Sequence, residues 1–303
     1  MSIIRRSSPP VRRPTFPARS YMGFAVALGV LGSTVACVPG VGPNPTTTLT
    51  SASSPPIVSA SPLAEGPITV VALGDSLTEG TGDESGREGY VGRLRDAIGA
   101  RPGRSGSTVV NLGRSGWASQ DLIDGTGGES GQLDAAVAEI ASARTANRPV
   151  VATVLVGSND LWYLYEYGNN SGTTADEESA DRAHYRAALT TIVRGLRGAG
   201  AQVVVAVNDD QSRRPVAADA GVRAATFPGI SSAEVVQMAG QANAYREVVR
   251  SVAAAEGATV ADFLDAPLFR NPATLADDGN HPNAAGYDLL ADAWLTALTP
   301  LAI

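Results

Sequence analysis

Cysteine is almost absent from this chain: Cys37 is the only one in 303 residues, so no disulfide can close within it and a lone thiol calls for another explanation. Histidine is nearly as scarce. His184 and His281 are the only two, fewer than hydrolytic metal centres usually draw on, so neither a metal nor another cofactor is expected. Lysine is missing, and every basic residue is an arginine. Positive charge is in deficit as well, with 23 basic against 30 acidic residues and a formal net charge of −7. Five of the arginines (Arg5, Arg6, Arg12, Arg13 and Arg19) precede residue 20, where no acid occurs; without them the net charge falls to −12. A body that acidic excludes nucleic acid as a natural partner.

Long apolar runs are lacking too. The run Tyr21–Ala36 is short for a membrane span, which takes about 20 residues, and suits the core of an export signal behind its basic leader. Cys37 follows directly. Thr34, Val35, Ala36 and Cys37 resemble a bacterial lipobox, whose cysteine becomes the acylated first residue of the mature chain, although Thr34 stands where that pattern prefers leucine. A cut at a small-residue site nearby is the alternative. Arg12, Arg13 and Phe16 resemble a twin-arginine signal only faintly, because paired arginines are common in basic leaders. Residues 1–37 are therefore expected to direct export, with a membrane anchor if Cys37 is acylated. Residues 38–66, rich in Pro, Gly, Ser and Thr, bury too little apolar surface to offset chain entropy and are expected to form a tether. Residues 67–303 remain as the folded domain, with no second linker or internal repeat.

Within that domain, β-branched apolar runs alternate with segments of helical periodicity. Strands are predicted at 68–73, 108–112, 149–156, 202–207 and 258–263, and helices at 90–98, 132–143, 177–196, 235–255 and 283–298. Strands separated by helices of such length need crossover connections, which produce a parallel sheet covered on both faces. The predicted fold is thus an α/β three-layer α/β/α sandwich with a central parallel sheet of about five strands.

Polar residues gather where these strands end, at the edge where such sheets bind ligands. The first strand runs into GDSLTEG (74–80), which presents Ser76; an isolated Gly-Asp-Ser is more often a plain turn. The second runs into NLGRSG (111–116), the third into GSND (157–160), and DDGNHPN (277–283) lies before the last helix. A serine nucleophile needs a base and a group to orient it. His184 sits in a charged helical stretch and reads as a solvated side chain. His281 is the candidate base, and Asp278, three residues earlier across a Gly-Asn turn, is the candidate orienting carboxylate. A metal site, or an ordinary turn leading into a helix, would also accommodate DDGNHPN. The N–H of Ser76, the N–H of Gly113 and the side-chain amide of Asn159 are candidate donors to an oxyanion. Asp75, Trp162 and Tyr163 are candidate pocket residues; the stretch LWYLYEY (161–167) would equally serve as an aromatic helix turn packed on the core.

GDSLTEG, NLGRSG, GSND and DGNHPN, in this order, resemble the four blocks of the SGNH hydrolase superfamily, the GDSL esterases and lipases. The resemblance implies a flavodoxin-like sheet, Ser76 as nucleophile, His281 with Asp278 as base, and Gly113 and Asn159 as oxyanion donors. It also implies an ester substrate cleaved through an acyl-enzyme. An exported, tethered and acidic enzyme suits short acyl groups on cell-wall glycans or small alcohols. A lipid acyl hydrolase, an acyltransferase using the same residues, and a glycan-binding lipoprotein without chemistry are the alternatives.

Overall fold

The structure, a computed structural model, describes residues 61–168 and 172–303. The expected export signal, Cys37 and the tether as far as residue 60 lie outside the described residues.

Five strands form one sheet: β1 Thr69–Gly74, β2 Thr108–Asn111, β3 Val150–Leu155, β4 Gln202–Val207 and β5 Thr259–Asp262. Their order is β2-β1-β3-β4-β5, and every neighbouring pair is parallel. This is the flavodoxin-like arrangement, in which the strand order reverses between β1 and β3 and leaves a crevice at their carboxyl ends. Each strand falls within two residues of its predicted bounds. β1 shows why: all six of its residues are buried, and alternation sends Val71 and Leu73 into one apolar core and Val70 and Ala72 into the other.

The helices are α1 Ser76–Glu79, α2 Gly89–Gly99, α3 Asp121–Asp124, α4 Gln132–Thr145, α5 Ser158–Glu166, α6 Ala175–Ala199, α7 Pro215–Ala218, α8 Ala220–Thr226, α9 Ser232–Glu256 and α10 Ala284–Leu298. α2 and α10 cover one face of the sheet; α4, α6 and α9 cover the other. In α2 the buried Tyr90, Val91, Leu94 and Ile98 recur at helical spacing and form its core-facing stripe. The two longest helices have reciprocal caps, Thr174 with Glu177 on α6 and Ser231 with Glu234 on α9. Such caps satisfy N–H groups that the first turn leaves open. The crossovers α2, α4, α6 and α9 bring each strand back in the same direction, so β1, β3 and β4 release their loops at one edge.

Leu94 is fully buried between the sheet and α10. Leu94→Ala should therefore lower unfolding stability by about 2–5 kcal/mol, measured by urea denaturation, with little change in the denaturant slope.

Candidate active site

β1 turns abruptly into α1 at Gly74, where a Cβ would stand 2.2 Å from the Leu155 carbonyl oxygen and 2.3 Å from Thr78 Oγ1. Only glycine fits that approach. Asp75 caps α1, its Oδ1 accepting the Leu77 N–H at 3.0 Å, and Ser76 is left at the first helical position, 7% exposed. The final loop arrives opposite. Asp278 Oδ1 accepts the backbone N–H groups of Asn280 and His281, each at 2.9 Å, which folds the loop into a tight turn. Its Oδ2 stands 2.6 Å from His281 Nδ1. With the Nδ1 proton donated to that carboxylate, Nε2 is left as an acceptor, and the Ser76 hydroxyl lies 2.9 Å from it. Ser76, His281 and Asp278 thus form a continuous hydrogen-bonded chain. His184, by contrast, is exposed on α6.

The loop is braced on its far side. Ala276 N–H donates to the His281 carbonyl at 2.8 Å, and Asn283 N–H to that of Thr274 at 3.1 Å. Asn283 also caps α10 through Gly286 N–H.

The two carboxyl groups of this site are in opposite environments. Burial pushes Asp278 upward, yet the bond from His281, its charge and the two backbone donors outweigh that and hold the carboxyl down at about 2. Asp75 is fully buried, and loss of solvent raises it to about 6, against the Leu77 N–H and the attraction of Arg214 and His281.

Gly113, expected to offer its N–H to an oxyanion, has that donor engaged within its own loop. Its N–H already donates to Asn111 Oδ1 at 2.9 Å, and the residue must be glycine because a Cβ would meet Glu79 N at 2.3 Å. Its place is to let the second loop pack against α1. Gly116, in the same block but missed in the sequence, has a φ of +80°, and its N–H has no acceptor among the described residues. The Ser76 N–H likewise has none. The signal was available in NLGRSG, which holds a second glycine at the tip of the turn.

α5 grips this loop at three points. Asn159 Nδ2 donates to the Trp117 carbonyl at 2.9 Å, leaving its second amide proton for another acceptor. Ser119 gives its N–H and hydroxyl to Asp160 at 2.9 and 2.5 Å. Tyr163 Oη donates to the Gly116 carbonyl at 2.6 Å. Tyr163 is therefore part of the loop's support. The other two expected pocket residues are buried: Trp162, 4% exposed, stacks on Phe227 with ring centroids 4.5 Å apart inside the core, and Asp75 lies beneath Ser76 with no exposed surface.

A parallel sheet that brings a serine, a histidine and an aspartate into line at its carboxyl edge is the architecture of a hydrolase able to work through a serine nucleophile. Residues 72–289 match the GDSL-like Lipase/Acylhydrolase family, and the chain belongs to that family; it is a carboxylic ester hydrolase of the SGNH type. Three solved structures share the fold at 21% identity. LAE5, an α/β hydrolase enzyme from the metagenome of Lake Arreo, Spain, covers 78% of this chain and 98% of its own at a TM-score of 0.50. A catalytic mutant of Axe2, an acetylxylan esterase from Geobacillus stearothermophilus, covers 78% and 95% at 0.50. TesA covers 77% and 99% at 0.51. The search of curated proteins found no match.

The raised Asp75 carboxyl has a measurable consequence. Because it is raised in the folded state, folding holds its proton up to about pH 6, whereas the unfolded chain releases it near 3.9. Its contribution to stability is complete below the unfolded value and is lost as pH rises through the folded one. In Asp75→Asn the amide oxygen still caps Leu77, so the stability of wild type relative to this variant should decline between about pH 4 and pH 6 and be level on either side, as read from urea midpoints across pH.

Proposed function

We propose that the chain cleaves carboxylic esters through an acyl-enzyme, with Ser76 as nucleophile, His281 as general base and Asp278 as its orienting carboxylate. The observation that carries this is the pair of hydrogen bonds at 2.9 and 2.6 Å that joins the three side chains. His281 Nε2 takes the Ser76 proton as Oγ attacks the ester carbonyl carbon. The carbonyl oxygen becomes an oxyanion, and its donors are Ser76 N–H, Gly116 N–H and the second amide proton of Asn159. Collapse of the tetrahedral intermediate breaks the carbon–oxygen bond to the alcohol, which leaves with the proton from His281. Water, activated in the same way, then releases the acid and restores Ser76. Asp278 remains ionised throughout and offsets the positive charge that builds on His281.

Ser76→Ala should abolish turnover of p-nitrophenyl acetate and labelling by an organophosphonate while leaving circular dichroism and melting unchanged; normal turnover would overturn the assignment. Asn159→Ala should lower kcat by about 10²–10³.

For the substrate, we propose short acyl groups, acetyl foremost, on carbohydrate or small alcohols. Tyr167, 63% exposed and with its ring centroid 5.8 Å from that of Tyr163, supports a sugar-facing rim next to the oxyanion loop. The acetylxylan esterase among the similar folds motivates the choice of acetylated xylan as a first natural substrate. In a series of p-nitrophenyl esters, kcat/KM should fall as the acyl chain lengthens; a rise towards long chains would reverse the proposal in favour of lipid. The basic leader, the apolar run and Cys37 support export and anchoring by an acylated cysteine. The mature protein should then carry a diacylglyceryl mass at an amino-terminal Cys37; an unmodified terminus beyond it would remove the anchor.

A further inference from the structure

One buried cation behind the site takes no part in the proposed reaction. β4 runs into Asn208, Asp209 and Asp210, and Asp210 caps the following turn by accepting the N–H and hydroxyl of Ser212 at 3.2 and 2.6 Å. That turn returns Arg214 to Asp209. The guanidinium donates from Nε to Asp209 Oδ2 at 2.9 Å and from Nη2 to Oδ1 at 2.5 Å, a two-pronged pair whose side chains are 1% and 2% exposed. It also lies over the Phe269 ring, 4.8 Å from its centroid.

The remaining arm of Arg214 faces the catalytic loop. Nη1 donates to Asn280 Oδ1 at 2.6 Å and to the Asn280 carbonyl at 3.3 Å, and Asn280 is the residue before His281. The neighbouring backbone adds a second tie, from Val216 N–H to the Gly279 carbonyl at 3.2 Å. Asp75, next to Ser76, is drawn to the same guanidinium without a hydrogen bond, and its Oδ2 has no partner among the described residues. A buried ion pair adds little net stability compared with an apolar replacement. Its planar fork does fix direction, since two prongs on one carboxylate leave the third arm a single orientation.

We propose that Arg214, held by Asp209, is a positioning residue for the base: through Asn280 it sets where the His281 imidazole stands relative to Ser76. The proposal rests on the Ser76–His281–Asp278 reading of the site. Asp209 is the anchor, Arg214 the spacer and Asn280 the link. None of the three touches the reacting atoms. Displacing a catalytic group by about 1 Å can cost as much as 100-fold in rate, so a link that acts through position should appear in kcat.

Asn280→Ala tests the link without disturbing the buried pair. The expected result is a kcat lowered by about 10- to 100-fold, a KM within twofold of wild type, and a cooperative melt at a modestly lower temperature, because Arg214 Nη1 keeps only the Asn280 carbonyl. The downfield proton resonance of His281 Nδ1–H should shift or broaden, a readout independent of turnover. Arg214→Lys, which keeps a charge for Asp209 but loses the fork, should lower kcat at least as far. Should it fold poorly, the paired neutral replacement Asp209→Leu with Arg214→Met removes the buried charges together and should reproduce the kcat loss. Wild-type kcat and an unmoved His281 resonance in Asn280→Ala would overturn the proposal, as would a loss confined to KM. Activity surviving in Ser76→Ala would instead overturn the reading of the site itself, so the two failures are separable.

Discussion

A hydroxyl and an imidazole 205 positions apart in the chain stand 2.9 Å from one another, and everything else in the structure serves that distance. Neither residue sits on a long rigid element. Ser76 begins a four-residue helix, and His281 lies in a turn before α10. Precision at such places has to come from the sheet beneath and from hydrogen bonds that remove the freedom of the loops. β1 supplies the first. It lies inside the sheet between β2 and β3, buried on both faces, so the point at which the chain leaves it is fixed by packing on every side. Gly74 and Gly113 permit the close approaches that follow. Both are answers to crowding rather than to catalysis.

The loops then hold one another. The segment 116–119 is gripped by α5 through Asn159, Asp160 and Tyr163, so the side chain proposed to offer an amide to the oxyanion also fixes the loop proposed to offer another. The final loop is gripped from two directions. On one side Tyr287 Oη donates to the Thr81 carbonyl at 2.8 Å, and Glu84 accepts the Ala284 N–H at 3.0 Å, which links α10 to the chain after α1. On the other, Arg214 reaches Asn280. A rim built in this way gains rigidity from polar contacts that are individually modest and mutually supporting.

The sheet was legible in the sequence because its determinants are local: a β-branched run buried on both faces looks the same wherever its partners lie. The long helices were legible for the same reason, their apolar stripes and caps being written within each segment. Ser76, His281 and Asp278 could be singled out because only two histidines exist and just one follows the last strand. What could not be read depends on distant partners. Trp162 is a core residue because Phe227 comes to lie against it, and the pattern LWYLYEY contains nothing about Phe227. The choice between Gly113 and Gly116 turns on the direction of one side chain, Asn111, whose amide oxygen consumes the first of the two N–H groups. The short helices α3, α7 and α8 lack the length for periodicity to register; α7 starts at Pro215 and buries only Val216 and Ala217, and α8 is set by its Asp219 cap.

Two aspartates lie near the proposed nucleophile and base, and the one adjacent in sequence to Ser76 makes no hydrogen bond to His281. Asp75 precedes Ser76 directly, yet burial without a full set of donors raises it to about 6, so near neutrality a share of it carries a proton. The one hydrogen bond of its side chain among the described residues goes to the Leu77 N–H, and none reaches the His281 ring. Asp278 is partly exposed, receives three N–H donors from its own loop and is held at about 2, so it is ionised wherever His281 could act as a base. Position and donor count therefore distinguish the two carboxyls, a distinction that sequence proximity alone would not draw. In the proposed reaction Asp278 faces the charge that appears on His281, while Asp75 caps the nucleophile's helix and, with an oxygen left unpartnered, lies in the field of the buried Arg214.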